Sequence, residues 1–501
     1  MHPALLFMME KIEKDDSYSH ILKYTGIFGG VQGLNILIGI VRNKFAAVLL
    51  GPGGLGLVSL FNSTINMVVS ASSFGVPTSG VQEISDKFGS LPAELNDSIK
   101  LIRSWSLVTA ILGMLLCVVF SPLLNSCTFT WGNHTLHFVM LSPVVAMSII
   151  GGGELAILKA TRQLKSLAFV SLLTIVSSLF VSVPVYYFWG ESGIIAVLLM
   201  QVFVQMVCAI YYSTRFYPFH VSFSPTYLKS GIHVIRLGIA FVFSGLINSG
   251  SEFLIRTYLN NVSCLDEVGL FNAGTTLAVV YAGLVFSAME ADYFPRLSSI
   301  KGDVGEQNSC VNKQVEINVL LITPFLILMI FILPILIPLL YDSKFNGMLQ
   351  MAQFAMVSML FRAIYLPIEY LPLSKGQSAI FFFQETFAVV LLITFEIGGY
   401  TLLGLTGIGI AIALAYLIET LAVFGYSRLV YSYQMSLQTI SFVLIQIFFV
   451  FVSLALALSR IHGFAYWGVA FLCTITNTAI TIYIVKRKTD VFDKMRKKLK
   501  R

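Results

Sequence analysis

The most regular feature of this chain is the alternation between long apolar stretches and short polar connections. An α-helix rises 1.5 Å per residue, so about 20 apolar residues cross the hydrocarbon core of a bilayer. Fourteen stretches of roughly that length predict membrane-spanning helices 1–14. They cover approximately residues 21–41, 55–78, 104–124, 137–158, 167–188, 192–213, 237–259, 268–291, 317–341, 349–371, 379–400, 407–427, 437–458 and 464–485. The pattern predicts an all-α polytopic membrane protein.

Composition supports this class, because 56% of the residues are hydrophobic and only 11% are charged. A soluble domain carries about 25% charged residues. The longest predicted loops, 79–103 and 292–316, are too short for a separate catalytic domain. The six cysteines are scattered without the spacing of a metal site or a disulfide framework. We therefore expect a function carried out among the helices, without enzymatic activity and without a metal or cofactor.

The lysines and arginines predict the orientation of the chain in the membrane. With a cytoplasmic N-terminus, 26 of the 32 basic residues lie on the cytoplasmic side, four lie outside and two lie within helices. Such an excess marks the cytoplasmic face of a membrane protein. Both termini are thus expected in the cytoplasm, with 1–20 as an N-terminal segment and 486–501 as a basic tail beside anionic headgroups. The net charge of +7 then needs no nucleic-acid partner.

The chain also resembles itself, because an arginine near the end of one predicted helix is followed by a Gly-Leu pair at the next helix. These landmarks are Arg42 with Gly56-Leu57, and Arg256 with Gly269-Leu270. The registration predicts two pseudo-symmetric six-helix bundles, residues 21–213 and 237–427, followed by helices 13–14 at 437–485. Six is an even number, so the halves form a parallel repeat about an axis along the membrane normal. We expect helices 1 and 7 to face each other across a central cavity.

Charged residues within the predicted helices are the candidate functional groups, because a charge at mid-bilayer costs about 2.5–3.5 kcal/mol. The candidate cavity cations are Arg362 near the middle of helix 10, Arg256 in helix 7 and Arg42 at the end of helix 1. The candidate acids for ion coupling are Glu252, Glu369, Glu290 and Glu419. Glu252 lies four residues before Arg256, an arrangement that favours an ion pair along one helix face. Mutual neutralisation of these two residues therefore stands as the alternative to a cavity role.

Two glycine-rich runs lie beside the predicted helices. Residues 51–56 read GPGGLG, which matches the GxGxxG sequence of dinucleotide-binding sites. Such a site also needs a preceding β-strand, and none is predicted here, so we expect a tight turn instead. The run Gly404, Gly407 and Gly409 favours close helix packing, with a bending point as the alternative.

Four stretches carry a resemblance to a known family. They are LLGPGGLGLVSLFN from Leu49, DEVGLFNA from Asp266, FPRLS from Phe294 and SKFNGMLQMAQFAMVSMLFRA from Ser343. These resemble the bacterial Wzx-type polysaccharide flippases, the O-antigen and enterobacterial-common-antigen translocases of the MOP exporter superfamily. The resemblance covers roughly residues 20–430. It implies a MOP-like fold in the bacterial inner membrane, a cation-rich central cavity and ion-coupled alternating access.

The resemblance also implies a substrate, an undecaprenyl-diphosphate-linked oligosaccharide that moves from the cytoplasmic to the periplasmic leaflet for O-antigen-like lipopolysaccharide synthesis. A guanidinium presents a planar fork suited to phosphate, so Arg362, Arg256 and Arg42 are the expected diphosphate contacts. The expected partners are this lipid-linked substrate, membrane lipids, a polysaccharide polymerase and a chain-length regulator. The alternatives are a multidrug or cation antiporter, a lipid II flippase and, from another class, a membrane polysaccharide polymerase or glycosyltransferase.

Overall fold

In the computed structural model, every regular element of the described residues is helical. The structure describes residues 3–89, 91–130, 132–300, 303–459 and 463–488, with side chains described except at 3–32, 240, 284, 285, 287–292, 485, 487 and 488. The helices are α1 (Pro3–Ser72), α2 (Val76–Asp86), α3 (Pro92–Val119), α4 (Ser121–Thr128), α5 (Thr135–Ala160), α6 (Leu164–Trp189), α7 (Ile194–Thr214), α8 (Pro225–Ser230), α9 (Ile232–Val262), α10 (Leu265–Thr275), α11 (Ala282–Ser299), α12 (Val304–Leu340), α13 (Leu349–Ser374), α14 (Ser378–Tyr431), α15 (Leu437–Leu458) and α16 (Phe464–Lys488). A π-helical turn at Thr276–Tyr281 joins α10 to α11. Helices satisfy their own backbone hydrogen bonds, which hydrocarbon requires.

Within the described residues, nine helical stretches are long and apolar enough to span a membrane, or up to ten if the bent pair in α9 counts as one span. Some of these stretches exceed a single crossing. The 54 residues of α14 would extend about 80 Å as one straight helix, against about 30 Å of hydrocarbon. The prediction of an all-α polytopic membrane protein is confirmed, whereas the number of fourteen spans stays a prediction.

Glycines break the two longest helices. Gly51 has a φ of 69°, which interrupts α1, and Pro52 begins the next helical turn. The turn predicted for residues 51–56 is found there. In α14 the break falls at Leu403 and at Gly404, whose φ is 60°. A Cβ on Gly407 would strike the backbone of Gly399 on the other arm, so the two arms of α14 pack closely as a hairpin.

Two segments predicted as loops contain helix. In the first, α2 ends at Asp86, inside the 79–103 connection. In the second, α12 begins at Val304, well before the predicted start at 317. The Asp303 side chain caps this extension by accepting hydrogen bonds from the backbone nitrogens of Gly305 at 2.8 Å and Glu306 at 3.2 Å. Apolar periodicity detects only the part of a helix that lies in hydrocarbon, so a capped polar extension escapes it.

The chain forms two compact units, Met1–Leu265 and Asp266–Arg501. Helix α9 therefore packs with the first unit, although the predicted second bundle begins at residue 237. Within that unit the backbones of Gly75 and Gly238 touch, and neither position has room for a Cβ. The predicted bundles follow the sequence repeat rather than the packing, and their symmetry stays a prediction.

In the second unit, α13 is the most enclosed helix. In the most apolar part of this span, 89% of the residues are buried inside the protein. The corresponding share in the other spans of the described residues is 17–61%. It packs against α11, α12, α14 and α15. A charged residue on α13 is therefore surrounded by protein rather than by lipid.

Candidate functional site

Arg362, the deepest cation predicted from the sequence, lies on this enclosed helix. Its side chain is half-buried. The guanidinium carbon lies 5.8 Å from the ring centroid of Phe286 on α11, within the range of a cation–π contact. Beside it is Gly283, where an added Cβ would lie 3.8 Å from Nη1. One side of the guanidinium thus meets an aromatic ring and a residue without a side chain.

Acidic and phenolic residues from α13 and α14 gather around Arg362. We call these residues the Arg362 cluster, and it consists of Arg362, Tyr365, Glu369, Glu385, Glu396, Tyr416 and Glu419. The carboxylate of Glu419 is hydrogen-bonded to the Tyr365 side chain and interacts electrostatically with Arg362 and Glu385. The rings of Tyr365 and Tyr416 meet with centroids 5.9 Å apart. The structure therefore brings two of the predicted acids, Glu369 and Glu419, into one group with Arg362.

The cluster joins one strong base to four acids, three of which are buried. Glu369 is 2% exposed, Glu396 5% and Glu419 7%. Charges buried this way interact strongly, since little water screens them. Chemically, such a group can hold or release a proton on a carboxyl, and its guanidinium can bind an oxyanion through two parallel hydrogen bonds.

Arg256 lies in the first unit, on α9, and is engaged in an ion pair. Its Nη1 lies 3.0 Å from the Glu252 carboxylate, with the two side chains 13% and 56% exposed. Its Nε donates to the Ser59 hydroxyl at 2.6 Å. This geometry is the mutual neutralisation that the sequence left open as an alternative to a cavity role.

Arg42 also lies in the first unit, inside α1 rather than at its end, because α1 continues to the Gly51 break. Its Nη1 donates to the Ser178 hydroxyl on α6 at 3.2 Å. Its Nη2 donates to the neighbouring Asn43 side chain at 3.2 Å. The predicted cations are thus distributed over both units. The remaining predicted acid, Glu290, lies outside the residues whose side chains are described.

Sequence reasoning missed a buried ion pair of the first unit, formed by Arg103 and Glu154. Arg103 donates to the Glu154 carboxylate from Nε at 2.9 Å and from Nη2 at 3.1 Å. Its Nη1 donates to the carbonyl oxygens of Tyr217 and Pro218 at 3.1 and 2.7 Å. Ser213 also donates to Glu154. Glu154 lies within a predicted membrane helix, where a charge requires a partner, but no local pattern indicates an arginine 51 residues earlier.

The same fold occurs in solved structures of membrane transporters. The lipid II flippase MurJ in an inward closed conformation aligns over 92% of this chain and 99% of its own, with a TM-score of 0.71 and 13% identity. An inward-facing multidrug resistance MATE family transporter of the MOP superfamily aligns over 79% of this chain and 94% of its own, with a TM-score of 0.67 and 15% identity. The chain therefore has the MOP-superfamily fold.

Sequence comparison gives a narrower assignment. Residues 46–350 match the model of a family of polysaccharide biosynthesis proteins. The match spans more than half of the 501 residues, and the chain belongs to this family. A search of the curated proteins finds no match.

Proposed function

We propose that this protein flips an undecaprenyl-diphosphate-linked oligosaccharide from the cytoplasmic to the periplasmic leaflet of the bacterial inner membrane, for surface polysaccharide synthesis of the O-antigen type. Membership of a polysaccharide biosynthesis family and the fold shared with a lipid II flippase support this function. No covalent bond changes in this reaction, so the chain acts as a carrier rather than an enzyme. The excess of basic residues on one side supports cytoplasmic termini.

The observation that carries the proposal is Arg362 on the enclosed helix α13. The substrate's diphosphate is strongly hydrated, and moving a bare anion into hydrocarbon costs tens of kcal/mol. A guanidinium inside the protein replaces part of that hydration with charge-assisted hydrogen bonds. Among the described residues, the ring of Phe286 and the side-chain-free Gly283 lie beside this guanidinium. The lipid tail can remain in the bilayer throughout.

The acids of the Arg362 cluster supply the means of ion coupling. While Glu419 is charged, it partly neutralises Arg362 and competes with the diphosphate. Protonation of Glu419 removes this competition, and the phenol of Tyr365 can still bond to the neutral acid. One proton moving inward releases about 2.3 kcal/mol per 100 mV of membrane potential. Exchange of a proton on Glu419 therefore changes the affinity of Arg362 for the diphosphate, and the inward proton gradient supplies free energy for the cycle.

The two arginines of the first unit have lesser roles in this proposal. Arg256 is held by Glu252 and Ser59, and Arg42 by Ser178 and Asn43. Each can stabilise the diphosphate through the field of its charge once the substrate is near. Loss of either is expected to weaken transport less than loss of Arg362.

A second candidate function, export of an organic cation, is favoured by one observation. The Arg362 cluster holds four glutamates and one arginine, so it can carry a net negative charge. A cationic compound binds best where acids outnumber bases. This function predicts the opposite effect of removing the arginine, because the site becomes more acidic.

The test is flipping of lipid-linked oligosaccharide by the purified protein in proteoliposomes. We expect Arg362→Ala to reduce the rate at least tenfold, since one charge-assisted hydrogen bond contributes about 1.5–3 kcal/mol. Arg362→Lys should recover part of the rate because it restores the charge without the planar fork. Arg428→Ala, at an exposed arginine in the same unit, is the matched control and should flip normally.

Each outcome discriminates between the candidates. An Arg362→Ala protein that is folded and flips at the wild-type rate refutes the proposed site. Export of a quaternary ammonium dye, enhanced by Arg362→Ala, would instead establish the cation exporter. Thermal unfolding of each variant in detergent separates loss of transport from loss of fold.

A further inference from the structure

A separate cavity of about 500 Å³ lies inside the first unit, between α1, α5, α6 and α7. Its volume falls within the range of about 300–1,000 Å³ that is typical of small-molecule sites. Six polar side chains line it: Asn35, Lys159, Ser171, Thr174, Gln201 and Gln205. The other lining residues are aliphatic side chains of α5 and α6. The Arg362 cluster, in the second unit, has no part in it.

The chemistry of the described lining residues favours one class of ligand. The described lining residues include no carboxylate that would attract a metal ion or an organic cation. The one cation among the described lining residues, Lys159, lies at an exposed position in the last turn of α5. Amide and hydroxyl groups both donate and accept hydrogen bonds, and they match neutral hydroxyl groups of a ligand. The aliphatic walls suit the C–H faces of a ring that carries such hydroxyls.

One polar atom in the lining of this cavity has no hydrogen-bond partner among the described residues. The side-chain oxygen Oδ1 of Asn35 is buried, and no hydrogen-bond donor reaches it from the residues described. A buried acceptor without a donor is destabilising, and most buried polar groups in native proteins have a hydrogen-bond partner. Asn35 lies on α1, in the wall of the cavity. A ligand hydroxyl placed in the cavity would supply the missing donor.

A chain of hydrogen bonds links this cavity to Arg42. Ser178 accepts from Arg42 Nη1 at 3.2 Å and donates to Gln201 Oε1 at 3.2 Å. Because its oxygen is occupied in this way, the Gln201 amide has its NH₂ group available for a ligand in the cavity. An anionic group near Arg42 and a neutral hydroxylated group beside Gln201 would lie close together. A sugar linked to a diphosphate has this pairing of groups.

We propose that the cavity between α1, α5, α6 and α7 binds a neutral sugar ring of the lipid-linked oligosaccharide. This inference rests on the proposed function and deepens it, because it assigns part of the substrate's recognition to residues of the first unit. Asn35 and Gln205 contribute hydrogen bonds to sugar hydroxyls, and the aliphatic walls cover one face of the ring. Diphosphate binding does not depend on either residue.

The experiment compares two synthetic polyprenyl-diphosphate lipids, one without sugar and one carrying a single neutral hexose, across a panel of hexoses. Affinity for the full-length protein in detergent is measured by native mass spectrometry. We expect at least one hexose to tighten binding by about tenfold, the effect of roughly two neutral hydrogen bonds. Asn35→Leu and Gln205→Leu should reduce this gain to less than twofold and leave the affinity for the sugar-free lipid unchanged.

Gln384→Leu, at a half-buried membrane glutamine outside the cavity, is the matched control and should keep the full gain. Asn35→Leu removes an unsatisfied polar atom, so its melting temperature should equal or exceed that of the wild type. If no hexose tightens wild-type binding, or if both cavity variants keep the gain, the inference is overturned. The proposed function fails by a different result, namely that the sugar-free lipid does not bind or binds equally well to Arg362→Ala.

Discussion

Two groups of buried charges, one in each unit, combine the same residue types and differ in how they are completed. In the first unit, Arg103 and Glu154 are 3% and 2% exposed. The guanidinium donates two hydrogen bonds to the carboxylate. Two backbone carbonyl oxygens accept from the rest of the guanidinium, and the Ser213 hydroxyl donates to the carboxylate. In the second unit, Arg362 is half-buried and shares its surroundings with four acids, two phenols and a glycine.

The difference shows how structural and functional charges can be distinguished in a membrane protein. When the donors and acceptors of an ion pair satisfy one another, breaking the pair costs free energy. Such a pair holds together the helices that carry its two residues. The Arg362 cluster holds four acids and one base, so one arginine cannot neutralise all of the carboxylates. A proton can therefore bind to or leave one of these acids while Arg362 keeps an acidic partner. We therefore propose that Arg103 and Glu154 stabilise the fold and that the Arg362 cluster takes part in transport.

The largest expected effect comes from breaking the completed pair. Arg103→Ala leaves Glu154 as an uncompensated charge inside the protein, which costs about 3–5 kcal/mol in comparable buried pairs. We expect a strong loss of membrane abundance and a lowered melting temperature in detergent. Arg215→Ala, at an exposed arginine on the end of α7, is the matched control and should accumulate normally. An abundant, stable Arg103→Ala protein that fails only in transport would reverse the assignment of the two regions.

A smaller effect on stability, with a specific effect on coupling, is expected from Glu419→Gln. The amide still accepts a hydrogen bond from Tyr365, so the change in unfolding free energy should stay within about 1 kcal/mol. Flipping should lose its response to an imposed pH gradient, because a glutamine cannot exchange a proton. The measurement is the flipping rate in proteoliposomes with and without that gradient.

The control for this variant is Glu316→Gln. Glu316 is a buried acid of the same unit that accepts a hydrogen bond from Thr439 at 2.8 Å, outside the Arg362 cluster. Its variant should keep the response to the gradient. If Glu419→Gln keeps it as well, Glu419 is not the coupling acid and the proposed cycle is wrong at that step.

The smallest effect is expected from Glu252→Gln, which removes the charge that pairs with Arg256. The Glu252 side chain is 56% exposed, and helix pairs of this type contribute about 0.3–0.5 kcal/mol. Melting temperature should therefore change by no more than a degree or two for a protein of this size. A large loss of stability would show that the first unit contains a second structural pair of the Arg103–Glu154 kind.

Much of the fold follows from local sequence. The apolar stretch predicted at 437–458 coincides with α15, and the one at 349–371 begins with α13. Gly51 and Gly404 mark breaks because a positive φ is readily adopted only without a Cβ. The polar start of α12 and the helix α2 were not predicted. Hydropathy identifies only apolar helices, and these segments are too polar to be recognised by it.

The sequence by itself determined the class of protein, its helical architecture and the residue types that could form a site, because apolar length and buried charge are properties of short segments. Only the tertiary structure decided which charges meet. It paired Arg103 with Glu154, and it gathered Glu385 and Glu419 of α14 with Arg362 of α13. Contacts between distant helices depend on the packing of whole faces, and no local pattern in a chain encodes which buried acid a buried arginine will reach.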